Sequence, residues 1–319
     1  MKSPSWSALL NRNAALIRGA TRSLQARDRP PAGSGSWLMG MVVAPEGPRR
    51  YYLFRPAGVR FGERLPMLVM LHGCHQDAKS FAASTRMNAV ATRERFLVLY
   101  PEQPRLCNAQ GCWNWFETQS GRAYGEAAWI MKAVDQACVL FQADRERIAV
   151  AGLSAGASMA ALLATRYPQR FKALVMHSGV PPGAASSTVS AIGAMQGRRQ
   201  PLPAAAARDW PPLMVIHGDA DRVVSARNAG SAALMWSQAA GAQPQPVQQQ
   251  HRGKRYPMRV TQFKRARDVI ATLVEVDRLG HAWSGGAARQ RFSDANGPDA
   301  SRMVWRFVEK QFETPRVQP

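Results

Sequence analysis

Acidic residues are scarce in this chain of 319 amino acids. It has 21 Asp and Glu against 42 Lys and Arg, which leaves a formal net charge of +21 and a pI near 11.1. Such an excess of positive charge raises nucleic acid or an anionic surface as a partner, although it says nothing about the fold. The sequence has no run of about 18 apolar residues, which excludes a membrane-spanning helix.

Cysteines are also few: Cys74, Cys107, Cys112 and Cys138. Cys107 and Cys112 have no second pair and no histidine at ligand spacing, so the pattern predicts no metal site. No nucleotide-binding motif occurs either, and we expect no cofactor. Any two of the first three cysteines remain candidates for a disulfide. Cys138 lies within a helical pattern, and we expect it to be a buried thiol.

The N-terminus lacks a Sec-type secretion signal. Such a signal needs about 7–15 uninterrupted apolar residues, and Arg18 interrupts the candidate stretch, so the sequence favours a cytoplasmic location. Residues 5–26 are typical of a basic amphipathic helix, which either packs on the domain edge or anchors the chain to a membrane or granule surface. Residues 27–36 are rich in Pro, Gly and Ser and predict a linker. The chain therefore divides into 1–36 and a domain over 37–315.

Short apolar runs alternate with helical patterns along that domain. The predicted strands are 67–71, 96–100, 147–151, 173–176, 212–216 and 269–276. The predicted helices are 125–141, 155–167, 227–238 and 298–312. This alternation indicates an α/β fold with a mostly parallel sheet and helices on both faces, to which 38–43 and 51–55 add antiparallel strands at the N-terminal edge. Residues 180–211 and 241–267 break the pattern and predict loop insertions on the C-terminal rim.

Gly152-Leu153-Ser154-Ala155-Gly156 carries the strongest chemical signal. It follows a predicted strand directly and opens a predicted helix, which is the context of a nucleophile elbow. The glycines suit a turn so tight that a Cβ would collide with its neighbours. We therefore expect the Ser154 hydroxyl to stand above the sheet at the positive end of a helix.

A serine needs a base that takes its proton, and this fold predicts the chain order Ser, acid, His. His281 follows the last predicted strand, which makes it the candidate base. Asp219 and Asp221 both follow the strand at 212–216, and Asp221 fits better because it lies deeper in the loop. The acid would hold the imidazole tautomer and stabilise the imidazolium. For an oxyanion, the expected donors are the backbone N–H groups of Ala155 and Cys74.

Six motifs in order make the chain resemble the polyhydroxybutyrate depolymerase family of esterases. They are Leu71–Ala78 (LHGCHQDA), Tyr100–Gln103 (YPEQ), Cys112–Phe116 (CWNWF), Gly152–Gly156 (GLSAG), Gly280–Gly286 (GHAWSGG) and Gly297–Ser301 (GPDAS). The resemblance implies the α/β-hydrolase fold and a carboxylic ester hydrolase with Ser154, Asp221 and His281 as its triad. Expected substrates are short hydroxybutyrate oligomers or related small esters, with feruloyl or acetyl-xylan esters as the alternative.

The family likeness also implies a disulfide between Cys74 and Cys112, which would fix the oxyanion loop. Many relatives are secreted, which leaves the location of this chain open. Trp283, Trp113 and Trp115 are expected to line a substrate groove. A non-catalytic protein that binds nucleic acid or granule surfaces on this fold is the alternative of another class, although an intact set of Ser, Asp and His argues for an enzyme.

The excess of positive charge falls largely outside the motifs. Residues 251–267 carry seven Arg and Lys and no acidic residue. We find no nucleic-acid-binding module and expect no specific nucleic acid partner. We expect instead a weak electrostatic association with an anionic polymer, granule or membrane surface.

Overall fold

The computed structural model describes residues 31–45, 47–201 and 209–313 of the chain. The described residues from Ala32 onward belong to one compact unit. The helix expected over 5–26 and residues 27–30 of the expected linker lie outside the described residues. The last two residues of that linker, Gly35 and Ser36, belong to a strand. None of the described helices is both long and apolar enough to cross a lipid bilayer.

A single large sheet organises the domain. Its strands are β1 (Gly35–Ala44), β2 (Gly47–Pro56), β3 (Leu65–Leu71), β4 (Leu97–Pro101), β5 (Ala143–Leu153), β6 (Ala173–His177), β7 (Leu213–Gly218), β8 (Gln243–Pro244), β9 (Gln248–Gln250), β10 (Met258–Arg265) and β11 (Asp268–Val276). The order is β1-β2-β4-β3-β5-β6-β7-β11-β10-β8, with β9 also on β10. The six strands from β4 to β11 in this order are parallel, whereas β1, β2 and the β10 edge run antiparallel. A separate pair joins β12 (Trp283–Ser284) to β13 (Ser293–Asp294).

Helices cover both faces of this sheet, as the alternation of patterns predicts. They are α1 (Ala78–Thr85), α2 (Met87–Glu94), α3 (Arg122–Leu140), α4 (Ala155–Arg166), α5 (Thr188–Met195), α6 (Arg227–Ala240) and α7 (Ala300–Glu313). Successive residues of a strand point to opposite faces, so Leu97 and Leu99 join the core under α3, α4 and α6, while Val98 and Tyr100 join the core under α1, α2 and α7.

The two expected loop insertions contain regular structure. Within 241–267, strand β10 pairs with β11 and extends the sheet, so the expectation of a loop is wrong there. The Arg, Lys and Gln residues of this strand obscure the alternation of apolar and polar residues that would have predicted it. Met258 and Phe263 are buried, and the other residues of the strand are half-exposed or exposed. Within 180–211, helix α5 begins after Ser187, whose side chain caps it by accepting a hydrogen bond from the Ser190 amide.

The start of α4 packs directly on the end of β3. A Cβ at Gly156 would lie 2.1 Å from the carbonyl oxygen of Leu71 and 2.5 Å from that of His72. Backbone atoms cannot move aside as a flexible side chain can, so only glycine permits this approach. The contact sets the height of the Ser154 turn above the sheet.

We expect Gly156→Ala to lower the free energy of unfolding by at least about 1–3 kcal/mol through overpacking against backbone. Gly230→Ala is the matched control, because a Cβ at Gly230 of α6 meets nothing within 4 Å. There the added methyl should stabilise the helix by about 0.5–1 kcal/mol. Urea unfolding of both variants measures the difference, and a Gly156→Ala protein as stable as the wild type would contradict the packing argument.

Candidate functional site

Ser154 lies on a strained turn between β5 and α4. Its φ is 56° and its ψ is −123°, a conformation that a non-glycine residue adopts only when its surroundings enforce it. The Ser154 amide donates a 2.9 Å hydrogen bond to the His177 carbonyl at the end of β6. This bond, together with the close packing of Gly156, fixes the turn. The Ser154 side chain is half-exposed at the first turn of α4.

The loop after β3 lies beside this serine. A Cβ on Gly73 would sit 3.5 Å from the Ser154 Cβ. The Gly73 amide donates to Gln76 Oε1 at 3.0 Å, which fixes the turn of the loop. Among the described residues, neither the Cys74 amide nor the Ala155 amide has a hydrogen-bond acceptor. Unpaired N–H groups of this kind, one of them at a helix N-terminus, are able to bind a negatively charged oxygen.

The buried His72 side chain fixes the loop after β3 by hydrogen bonds. Its Nε2 accepts a hydrogen bond from the Gln103 amide at 3.1 Å, so the ring proton resides on Nδ1, which donates to the Gly73 carbonyl at 2.9 Å. Complete burial lowers the pKa of His72 and keeps the ring neutral. The His72 carbonyl accepts from Trp113 Nε1 at 3.0 Å.

A disulfide joins Cys74 of this loop to Cys112. The segment after Cys112 rests on Glu126 of α3, whose carboxylate accepts hydrogen bonds from the Asn114 amide at 2.8 Å and from Gln103 Nε2 at 2.6 Å. Burial raises the pKa of Glu126, and these hydrogen bonds partly offset that effect. The sequence motifs contain Gln103 and Asn114, but sequence reasoning assigned them no role and missed Glu126. The sequence signal for Glu126 is an acidic residue among the buried apolar residues of α3.

Asp221 and His281 come together across the loops after β7 and β11. His281 Nδ1 lies 2.7 Å from Asp221 Oδ2. Asp221 Oδ1 accepts from the amides of Val223 and Val224, both at 2.9 Å. Burial alone would raise the pKa of Asp221, but the hydrogen bonds from His217 and His281 outweigh it and hold the pKa well below its usual range. The other candidate for the acid, Asp219, accepts a hydrogen bond from the Arg278 amide at 2.7 Å. It therefore stabilises the loop instead of contacting His281.

Two further histidines lie beneath this pair. His217 Nε2 lies 2.9 Å from the Val224 carbonyl and 3.3 Å from Asp221 Oδ2. His177 Nε2 accepts a hydrogen bond from the Ser284 amide at 3.1 Å, which joins β6 to the segment after His281. Burial, with the repulsion of His217 and His281, lowers the pKa of His177 to about 3. His177 is therefore a neutral support that touches both the serine turn and the histidine loop.

The tryptophans expected to line a groove do not do so. Trp113 and Trp283 have 0% exposure, and Trp115 is also buried. Trp283 stacks on His177 with ring centroids 5.0 Å apart and donates to Ser301 Oγ at 3.0 Å. The expected substrate-binding role is therefore wrong for these buried residues. Trp113 and Trp283 instead brace the loops around Ser154 and His281. Aromatic composition predicts a large contact area, but it does not tell which side of the chain faces solvent.

Comparison with known proteins identifies relatives of this chain. The family described as Esterase PHB depolymerase matches residues 49–241. A poly(3-hydroxyalkanoate) depolymerase C from Paucimonas lemoignei is 35% identical over 175 residues, which are 51% of this chain and 42% of that protein. Feruloyl esterase B from Neurospora crassa is 29% identical over 213 residues, 61% of this chain and 71% of that protein. The chain thus spans under half of the depolymerase.

Solved structures share the architecture. An acetyl xylan esterase from Aspergillus awamori superposes with a TM-score of 0.65 at 17% identity, covering 85% of this chain and 99% of that one. A ferulic acid esterase gives a TM-score of 0.55 at 15% identity, covering 88% of this chain and 100% of that one. The mostly parallel sheet and its helices are those of the α/β-hydrolase fold, which confirms the fold expected from the sequence.

The disulfide closes a loop of 38 residues, so we expect Cys112→Ser to lower the free energy of unfolding by about 3–4 kcal/mol. Cys107→Ser is the control, because Cys107 is a free thiol of the same loop region. That change should stay within about 0.5 kcal/mol of the wild type. Urea unfolding without reductant measures both, and equal stability of the two variants would contradict a structural bond.

His177 should make the protein sensitive to acid. Burial lowers its pKa to about 3 in the folded chain, against a reference value of 6.5. Between these two values the unfolded chain binds a proton at His177 that the folded chain does not bind. The stabilisation is complete above pH 6.5 and is lost as the pH falls towards 3. When the pH is lowered from about 7 to about 5, the free energy of unfolding should fall by about 2 kcal/mol less in His177→Gln than in the wild type. Urea unfolding at both pH values measures this, with exposed His251→Gln as the control that should behave like the wild type.

Proposed function

We propose, from the premise that the chain belongs to the esterase PHB depolymerase family, that it hydrolyses carboxylic esters with Ser154 as the nucleophile. The observation that carries the proposal is the 2.7 Å hydrogen bond between His281 and an Asp221 that two backbone amides also hold. A carboxylate bound in this way orients an imidazole as a base.

The first half of the reaction forms an acyl-enzyme. The Nδ1–H group of His281 donates a hydrogen bond to Asp221, which leaves Nε2 free to take the hydroxyl proton of Ser154 as Oγ attacks the ester carbonyl carbon. The carbonyl oxygen becomes an oxyanion, which accepts hydrogen bonds from the amides of Cys74 and Ala155. When the tetrahedral intermediate collapses, the bond to the alcohol oxygen breaks and His281 gives its Nε2 proton to the alcohol.

Water completes the cycle. His281 takes a proton from a water molecule, whose oxygen attacks the acyl carbon on Ser154. The second oxyanion collapses, the bond to Ser154 Oγ breaks, and the proton on His281 returns to that oxygen. The carboxylic acid leaves and the serine is restored. Asp221 stays ionised throughout, because its low pKa reflects hydrogen bonds that a protonated carboxyl group would lose.

The substrates we propose are short hydroxyalkanoate oligomers or related small esters. The sequence identity of 35% with a protein named as a poly(3-hydroxyalkanoate) depolymerase supports an aliphatic acyl group in the substrate. The burial of Trp113 and Trp283 supports the same choice, since it removes two rings on which a feruloyl group could stack. Feruloyl or acetyl-xylan esters are the second candidate, because the feruloyl esterase relative is matched over the larger share of its own length.

Hydrolysis of a hydroxybutyrate trimer, methyl ferulate and p-nitrophenyl acetate tests the proposal. We expect Ser154→Ala to lower kcat by at least about 10⁴-fold on each ester the wild type cleaves, since the nucleophile is gone. Asp221→Asn should cost about 10⁴-fold by allowing the wrong imidazole tautomer. The trimer should give the highest kcat/KM.

Asp219→Asn is the matched control for the acid, because it makes the same chemical change two residues away. It should change kcat by less than about tenfold, as an ordinary loop substitution would. Full activity in Ser154→Ala would overturn the mechanism. Preference for methyl ferulate would overturn the substrate choice alone, and an inactive wild type that still binds its ester would favour a binding protein.

A further inference from the structure

A cavity of about 460 Å³ lies between helix α7 and strands β10 and β11. It exists because α7 packs over β5, β6 and β7, so the sheet continues beyond the helix on that face. On the opposite face α6 covers β11 and β10. We call the uncovered trough the α7 groove. None of Ser154, Asp221 and His281 lines it.

The floor of the α7 groove is apolar along part of its length, and Gln262 and Thr272 add polar groups to the rest. Alternate residues of the paired strands point into it, with Val260 of β10 opposite Val274 of β11. Met214 and Met258 extend the floor, and Met303 and Phe307 of α7 form a wall. Met214, Met258 and Val274 are buried. The apolar surface is therefore recessed below the rim, and a flat membrane surface would not reach it.

The rim of the groove is strongly basic. Its cationic lining residues are Arg252, Arg255, Arg302, Arg306 and Lys310. Among the described residues that line it, Asp299 is the one acidic residue, and Arg302 pairs with it at 3.4 Å. The nearby acids Glu275 and Asp277 instead lie 3.7 Å from Arg259, whose position on β10 points away from the groove. The charge of the rim therefore favours an anionic ligand.

We propose that the α7 groove binds a medium-chain alkanoate, with its alkyl chain on the floor and its carboxylate at the arginine rim. The volume falls within the usual range for small-molecule sites, about 300–1,000 Å³. Arginine pairs with carboxylates through two parallel N–H bonds, and a recessed apolar trough gains from burying an alkyl chain. This inference stands apart from the proposed esterase function, because it uses other residues.

Calorimetric titration of the full chain with sodium dodecanoate, below its micelle concentration, tests the site. We expect one molecule bound per chain. The double variant Arg252→Glu/Arg306→Glu reverses two exposed rim charges and should weaken binding at least about tenfold, the scale of one lost charge-assisted hydrogen bond. Arg227→Glu makes the same kind of change on α6, across the sheet, and should alter binding less than about twofold.

Three further measurements test the floor of the groove, the chemistry of the ligand and the place where it binds. Val260→Asp should weaken dodecanoate binding at least about tenfold by placing a carboxylate on the floor, with an unchanged circular dichroism spectrum as the fold control. Butanoate and dodecyl maltoside should each bind at least about tenfold more weakly, since one lacks the chain and the other the charge. Ser154→Ala should bind dodecanoate as the wild type does.

Several outcomes would overturn the proposal. No binding of dodecanoate would do so, as would equal binding by the rim variant and the wild type. Loss of binding in Ser154→Ala would place the ligand at the serine instead. Binding to vesicles of anionic phospholipid without binding to free dodecanoate would identify a membrane surface as the partner and reject the alkanoate site.

Discussion

The domain depends on one close approach of backbone to backbone, where the first turn of α4 meets the end of β3. Gly156 lies so near the carbonyl groups of Leu71 and His72 that no side chain fits between them. The approach sets the position of Ser154 relative to the following loop. That loop is then held from three sides, by Trp113, by Gln103 and by the bond from Cys74 to Cys112. Rigidity around a half-exposed serine is thus built from packing and hydrogen bonds outside the serine itself.

Charge inside the domain is arranged differently from charge on its surface. Asp221 is buried, and it is surrounded by donors: two amides and two imidazoles. His72 and His177 are buried as neutral rings that accept N–H groups. Most of the arginines that give the chain its +21 charge take no part in these networks. Several of them gather around the α7 groove, where the sheet extends beyond its covering helix.

Much of the fold was predictable because its strands are short apolar runs at regular intervals. The positions of Ser154, Asp221 and His281 were predictable for the same reason, since each follows the carboxyl end of a parallel strand. Strand β10 was missed because its half-exposed or exposed Arg, Lys and Gln residues outnumber its two buried residues. Trp113 and Trp283 were misplaced because a tryptophan fits a core and a binding surface equally well. Glu126 was missed because its role depends on donors that lie far from it in the chain.

The strand order has a consequence for how the chain folds. The turn that carries Ser154 needs β3, β5 and β6, which lie within one continuous half of the sequence. His281 is in place only after β11 has paired with β7, a contact between segments more than fifty residues apart. The β3–β5 pairing also joins distant segments, since Leu68 pairs with Ala149, and parallel pairings of this kind form slowly. The serine and its proposed base therefore depend on separate long-range strand pairings, and the proposed chemistry needs both of them in place.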